Sequence, residues 1–257
     1  MTETLQHALS RLDNWMKDYM KSWYNEAEDI QQAVRMKEEH TARVRSYAKE
    51  LAEHLGLSED DVARAELMGL LHDIGRFRQF TIYRTFNDAQ SEDHAELGLK
   101  TISDEHLIED ISQRDRLLIC FAIRSHNKKL IAPAPDEESM LYAKLLRDAD
   151  KLDIYHVLEP FLFPSDGSGV SPDFIEKFVA AEQCDYTMIR TQDDRKLVRL
   201  MWIYDINYAW TMQRVLDRGY VDKIVRCLPQ GNADIDKGVL RLCAYAEKKR
   251  VSADKAE

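Results

Sequence analysis

His40, the adjacent pair His72-Asp73, His94, His126 and Asp150 are the residues of this 257-residue chain whose types and spacing can do chemistry. Neutral imidazoles and carboxylates hold iron, manganese, nickel or zinc. Magnesium alone suits four imidazoles less well, because it prefers oxygen ligands. Four His and two Asp exceed the needs of one mononuclear site and match two metals that share a carboxylate. One His-Asp dipeptide means little in a chain with 8 His. The ordered set carries the reading. His7, His54, His106 and His156 fit no such pattern and read as surface or structural residues.

Helical periodicity tests whether the six can converge. His40 leads the series Val44, Ala48, Leu51 and Leu55, one apolar face of a helix. His126 follows Ile119 and Ala122 on one stripe, and Asp150 shares a stripe with Ala143, Leu146, Ile154 and Val157. A carboxylate buried in such a stripe is costly without a partner, and a metal supplies one. His72 and Asp73 end the segment GLLHDIG, where the chain turns at a glycine. Adjacent helical side chains diverge by about 100°. His72 can then serve one metal while Asp73 reaches between two.

The elements that must position these residues are helical nearly throughout. Helices are expected over 3–24, 26–54, 59–74, 92–104, 110–126, 137–159, 172–182, 193–218 and 233–249. Gly56 is placed to end the second, Ser58 with Asp61 to cap the third, Gly75 to end it, and Ser91 to cap the fourth. Residues 76–90 show neither period and read as a long loop, often a functional feature. WIYDINYAW (202–210) is aromatic on more than one helix face, which fits helix core or a subunit contact in a homo-oligomer. FPSDGSGVSP (163–172) is the clearest break. The expected organisation is an N-terminal helix (1–25), a catalytic core (26–162) and a C-terminal helical extension packed on it (163–257).

Composition agrees with a helical, globular protein: 44% hydrophobic and 32% charged residues, with 9 Gly and 6 Pro. A net charge of −10 disfavours a partner with a nucleic-acid backbone, while a small anion held by metals and local cations is compatible with it. No apolar run approaches the roughly 18 residues of a spanning helix, so no membrane partner is expected. The N-terminus lacks a secretory pattern. The four Cys form no CxxC pair, so reduced thiols and a cytoplasmic location are expected.

The order His, His-Asp, His, His, Asp, carried by GLLHDIGR, SEDHAELG, IRSHN and LRDADKLD, resembles the HD superfamily of metal-dependent phosphohydrolases in its two-metal version. The resemblance runs from about Glu26 to Glu159. It implies an all-α HD-domain helical bundle with additional C-terminal helices. It also implies two transition-metal ions: His40, His72, Asp73 and Asp150 at the first, His94 and His126 completing the second, with Asp73 bridging. Such a pair activates a water for in-line attack on a phosphate ester. Asp73 and Arg76 are the catalytic candidates. Arg76 stands where many relatives carry Lys, and its planar fork fits a substrate phosphate. Arg84, Asn127 and Lys128 are further substrate-binding candidates, close in sequence to Arg78 and Lys129. Glu96 and Asp153 are candidates to orient a ligand or to donate a proton to the leaving group.

Relatives that act on cyclic dinucleotides carry a paired His-His-Glu and a Gly-Tyr-Pro motif. This chain has SHNKK and no Gly-Tyr-Pro, so cyclic di-GMP is not the expected substrate. A small phosphorylated substrate such as a nucleotide is. The alternative from the same superfamily is a di-iron oxygenase acting on a small anion, which shares the ligand order.

Overall fold

Local sequence signals set most of the helix ends in the computed structural model of the chain, which describes residues 2–182, 184 and 186–255. The chain divides into two compact units, one formed by the described residues up to Asp153 together with Lys255, the other by the described residues of Ile154–Asp254.

The first unit holds α1 (Leu5–Ser22), α2 (Glu28–His54), α3 (Glu59–Leu71), α4 (Ile74–Tyr83), α5 (His94–Asp104), α6 (Gln113–His126) and α7 (Glu137–Leu158) as far as Asp153. Thr4 caps α1, whose buried stripe is Leu5, Ala8, Leu9, Leu12, Met16 and Met20. Ser58 and Asp61 form the expected capping box at the start of α3. Every residue of α3 from Ala63 to Leu71 is buried, so this helix is the centre of the unit. It packs on α2, α1 and α6, while α4 packs on α5.

Two glycines bring the helices close. A Cβ on Gly69 would lie 2.7 Å from Arg45 Cα, so α3 approaches the backbone of α2 directly. A Cβ on Gly75 would lie 2.2 Å from the carbonyl oxygen of His94. That contact sets the start of α5 beside the His72-Asp73 turn.

The second unit contains α8 (Pro172–Ala180), α9 (Gln192–Met201), α10 (Ala209–Asp217), α11 (Tyr220–Arg226) and α12 (Ala233–Arg250). Helix α12 packs on α8 and α10. Phe178 of α8 lies so close to Gly238 of α12 that a Cβ there would meet its ring at 2.4 Å.

The fold is all-α, and no strand occurs among the described residues. Four local expectations need correction. Helix α3 ends at Leu71 with His72 as its cap, and Gly75, expected to end it, is the second residue of α4. Residues 76–90 are not one loop, because α4 continues to Tyr83 and ends at Arg84, whose φ is 56°. Its inner face carries the buried polar Gln79 beside Phe77, which masks the apolar period. The cap of α5 is Asp93, not Ser91, with its carboxylate accepting from the Ala95 and Glu96 amides. The helix expected over 193–218 is broken by a 3₁₀ turn at Trp202–Asp205, so WIYDINYAW is not one helix. Asp254 caps the new start from far along the chain, accepting from Ala209 N at 2.6 Å and Trp210 N at 2.9 Å. Among the described residues no helix is long and apolar enough to cross a membrane.

Candidate metal centre

The six residues come from four helices and the turn between α3 and α4 of the first unit. His40 lies within α2 and Asp150 within α7. His94 is the first residue of α5 and His126 the last of α6. His72 caps the end of α3, and Asp73, with φ −107° and ψ 14°, is the single residue between α3's cap and α4. The chain turns there, so the two neighbouring side chains reach different parts of one cluster.

Asp73 divides the cluster. Its Oδ2 lies 3.3 Å from His40 Nε2 and 3.6 Å from His72 Nε2. Its Oδ1 lies 3.3 Å from His94 Nε2 and 3.7 Å from His126 Nε2. Asp150 Oδ1 joins the first group, 3.2 Å from His40 Nε2 and 3.8 Å from His72 Nε2. Within each pair the two Nε2 atoms are close, 3.2 Å for His40 and His72 and 3.0 Å for His94 and His126.

The outward nitrogens explain why this convergence needs a cation. His40 Nδ1–H donates to Asp153 Oδ2 at 2.6 Å and His94 Nδ1–H to Asp88 Oδ2 at 2.7 Å. His72 Nδ1–H donates to Gly69 O at 2.9 Å and His126 Nδ1–H to Ile123 O at 2.6 Å. All four partners are pure acceptors, so each Nδ1 carries a proton, and a ring with no second proton turns its Nε2 lone pair inward. Imidazole lone pairs then face one another and two carboxylates. A cation bonded at about 2.0–2.2 Å places adjacent ligand atoms about 2.8–3.5 Å apart, which suits most of these separations. His40, His72 and Asp150, and likewise His72, Asp73 and His126, offer ligand atoms close enough together to hold an ion.

Protonation follows burial. Burial drives the His72 ring down to about 3, and burial with the nearby Arg76 charge takes His94 to about 4, so both are neutral at pH 7. For His40, burial and the Lys37 ammonium push downward, but Asp150, Asp153 and Asp73 outweigh them and raise it to about 9. Without metal, an imidazolium at His40 therefore meets part of the acceptor charge. Asp73 stays well below the usual carboxylate range despite its burial, because Lys37 and the surrounding rings stabilise its charge.

Residues 38–155 match the family model of the HD domain. This stretch is an HD domain. It contains all six residues, and HD domains bind divalent metals and are in general metal-dependent phosphohydrolases. No curated protein and no solved structure matches the chain significantly.

Around the HD cluster, some of the other expected residues are in reach and some are not. Arg76 Nε is 3.6 Å from Asp73 Oδ1 and is buried without a hydrogen bond, while Nη1 donates to Gln79, Phe86 O and Asp88. Asn127 Nδ2 donates to Asp88 and Asp93, and Lys128 pairs with Asp93. Arg84 is not brought to the cluster; it ends α4 and pairs with Asp29 at 3.0 Å, both well exposed. Glu96 pairs with Arg124 at the surface. Asp153 orients His40 and is itself held by Arg43 through two hydrogen bonds.

Two residues at the cluster escaped the sequence reading. Asp88 orients His94 and gathers Arg76, Gln79 and Asn127, but it lies in the segment read as loop. Lys37 donates to Asp73 Oδ2 at 2.7 Å. Its signal was available: it lies three residues before His40, on the same helix face.

Proposed function

We propose that the HD domain is a two-metal phosphohydrolase acting on a small phosphate ester such as a nucleotide. The observation that carries this reading is the division of Asp73, one oxygen toward each pair of inward-turned imidazoles. His40, His72, Asp150 and Asp73 would hold one cation, and His94, His126 and Asp73 the other. Iron, manganese, nickel and zinc suit these ligands. Bound there, two divalent cations would supply Lewis acidity and a water acidic enough to ionise near neutral pH.

The chain's own residues set the rest. Asp153 and Asp88 fix the His40 and His94 rings and raise their basicity. Arg76 keeps a buried, unspent N–H beside Asp73, which suits it to bind a substrate phosphate and orient it for in-line attack. Asn127 retains a buried amide oxygen with no partner among the described residues, a further contact for substrate. Lys128 supports the same edge through Asp93.

The test is phosphate release under strict anaerobiosis. Protein reconstituted with Mn²⁺ should hydrolyse at least one member of a panel of phosphate monoesters and nucleotides. Turnover that requires both iron and O₂ would refute the hydrolase and favour an oxygenase built on the same ligands.

A further inference from the structure

Lys37 is the buried charge that this mechanism leaves without a task. Its ammonium donates to Asp73 Oδ2, the oxygen that also faces His40 and His72, and its side chain is only 7% exposed. An ammonium has three donors. This one makes a single hydrogen bond among the described residues and otherwise lies against the Phe86 ring, 5.3 Å from its centroid. The second cation near Asp73 is Arg76. Its Nε stands 3.6 Å from Oδ1, and its Nη1 is committed to Gln79, Phe86 and Asp88. Among the described residues, Lys37 is therefore the one group of permanent charge within hydrogen-bond distance of Asp73.

We infer that Lys37 is the resident counter-ion of the bridging carboxylate. It holds Asp73 in place before metal arrives, and by occupying the same oxygen it sets how tightly the neighbouring site binds a cation. The inference rests on the metal reading above and not on the reaction. It has two consequences of opposite sign. Without Lys37, Asp73 is left buried without its partner, so the metal-free protein loses stability. The same change removes a positive charge from beside the metal, so the metal binds more tightly. A lysine that served only packing would give the first effect with unchanged or weaker metal binding.

Full-length wild type, Lys37→Met and Lys37→Arg, each stripped with chelator, would be compared by thermal melting and by Zn²⁺ affinity against a chromophoric competitor. Lys37→Met should melt lower when metal-free yet bind Zn²⁺ roughly tenfold tighter, the scale of contact repulsion between like charges even in a water-like medium. Lys37→Arg, which keeps the charge, should stay near wild type in affinity. Unchanged or weaker Zn²⁺ binding by folded Lys37→Met overturns the inference. If Lys37→Met does not fold, the lysine ammonium signals of ¹⁵N-labelled wild type decide, with Lys37 assigned through Lys37→Arg. That signal should shift as Zn²⁺ binds, and a signal that stays put overturns the inference. A wild type that takes up no metal refutes the metal reading and this inference with it. Metal uptake without hydrolysis of any phosphate ester refutes the proposed reaction alone.

Discussion

Asp73→Asn is the sharpest perturbation of the cluster. It keeps the side chain's shape, removes its charge, and replaces one acceptor oxygen with an NH₂ donor. Whichever way the amide turns, one pair of rings faces an NH₂ in place of the oxygen that would share a cation with them: His40 and His72 at 3.3 and 3.6 Å, or His94 and His126 at 3.3 and 3.7 Å. Metal content should fall at both sites. A second effect is independent of metal. Lys37, hydrogen-bonded to Asp73 at 2.7 Å, becomes a buried charge without its counter-ion. Breaking a buried ion pair in this way costs about 3–5 kcal/mol. For a chain of this size that lowers the melting temperature by about 6–20 °C. Elemental analysis of the purified variant gives the first quantity, and a thermal melt in chelator gives the second. Two full equivalents of metal in Asp73→Asn would refute the shared carboxylate. An unchanged metal-free melt would refute the account of the Lys37 pair.

His126→Ala removes a ring whose Nε2 lies 3.7 Å from Asp73 Oδ1, so elemental analysis should find about one equivalent of metal retained and phosphate release largely lost. Asp153→Asn leaves every ligand in place but weakens the acceptor behind His40; competition against a chelator should show metal affinity down by roughly 10–100-fold. Arg76→Ala should lower kcat/KM on the best phosphate ester by about 1.5–3 kcal/mol, the worth of a charge-assisted hydrogen bond, as steady-state kinetics would reveal. Gly75→Ala places a methyl against the His94 carbonyl and should destabilise the domain by about 1–3 kcal/mol in denaturant titration.

The clustering of the six residues was legible because each is a polar group that marks a helix end or an apolar stripe. Ser58 and the α3 start were legible for a similar reason: a capping box is written in four consecutive residues. What stayed hidden depends on partners remote in sequence. Asp254 begins α10 from 45 residues away, which no local pattern encodes. Helix α4 turns Gln79 inward because its amide donates to Asp88, Ser91 and Glu92 O, and a helix whose inner face is polar shows no apolar period. Asp88 gains its meaning only when that helix folds back to bring it against His94. Lys37 looked like one more charge on a long, highly charged helix, and only the approach of the α3 end buries it.

The outward hydrogen bonds of the four rings divide in a way that bears on how such a site can change over time. In each pair one ring is tied to a carboxylate, His40 to Asp153 and His94 to Asp88. The other is tied to a main-chain carbonyl three residues earlier, His72 to Gly69 and His126 to Ile123. A main-chain tie does not depend on the side chain of its acceptor, and Gly69 is in any case held by its close approach to Arg45, so His72 and His126 form an inheritable frame. The carboxylate ties can be traded for amides or hydroxyls by single substitutions, each altering the electron donation of one ring while all six clustered residues remain. Each half of the cluster thus combines a fixed ring with an adjustable one, and selection or design can retune the two halves separately.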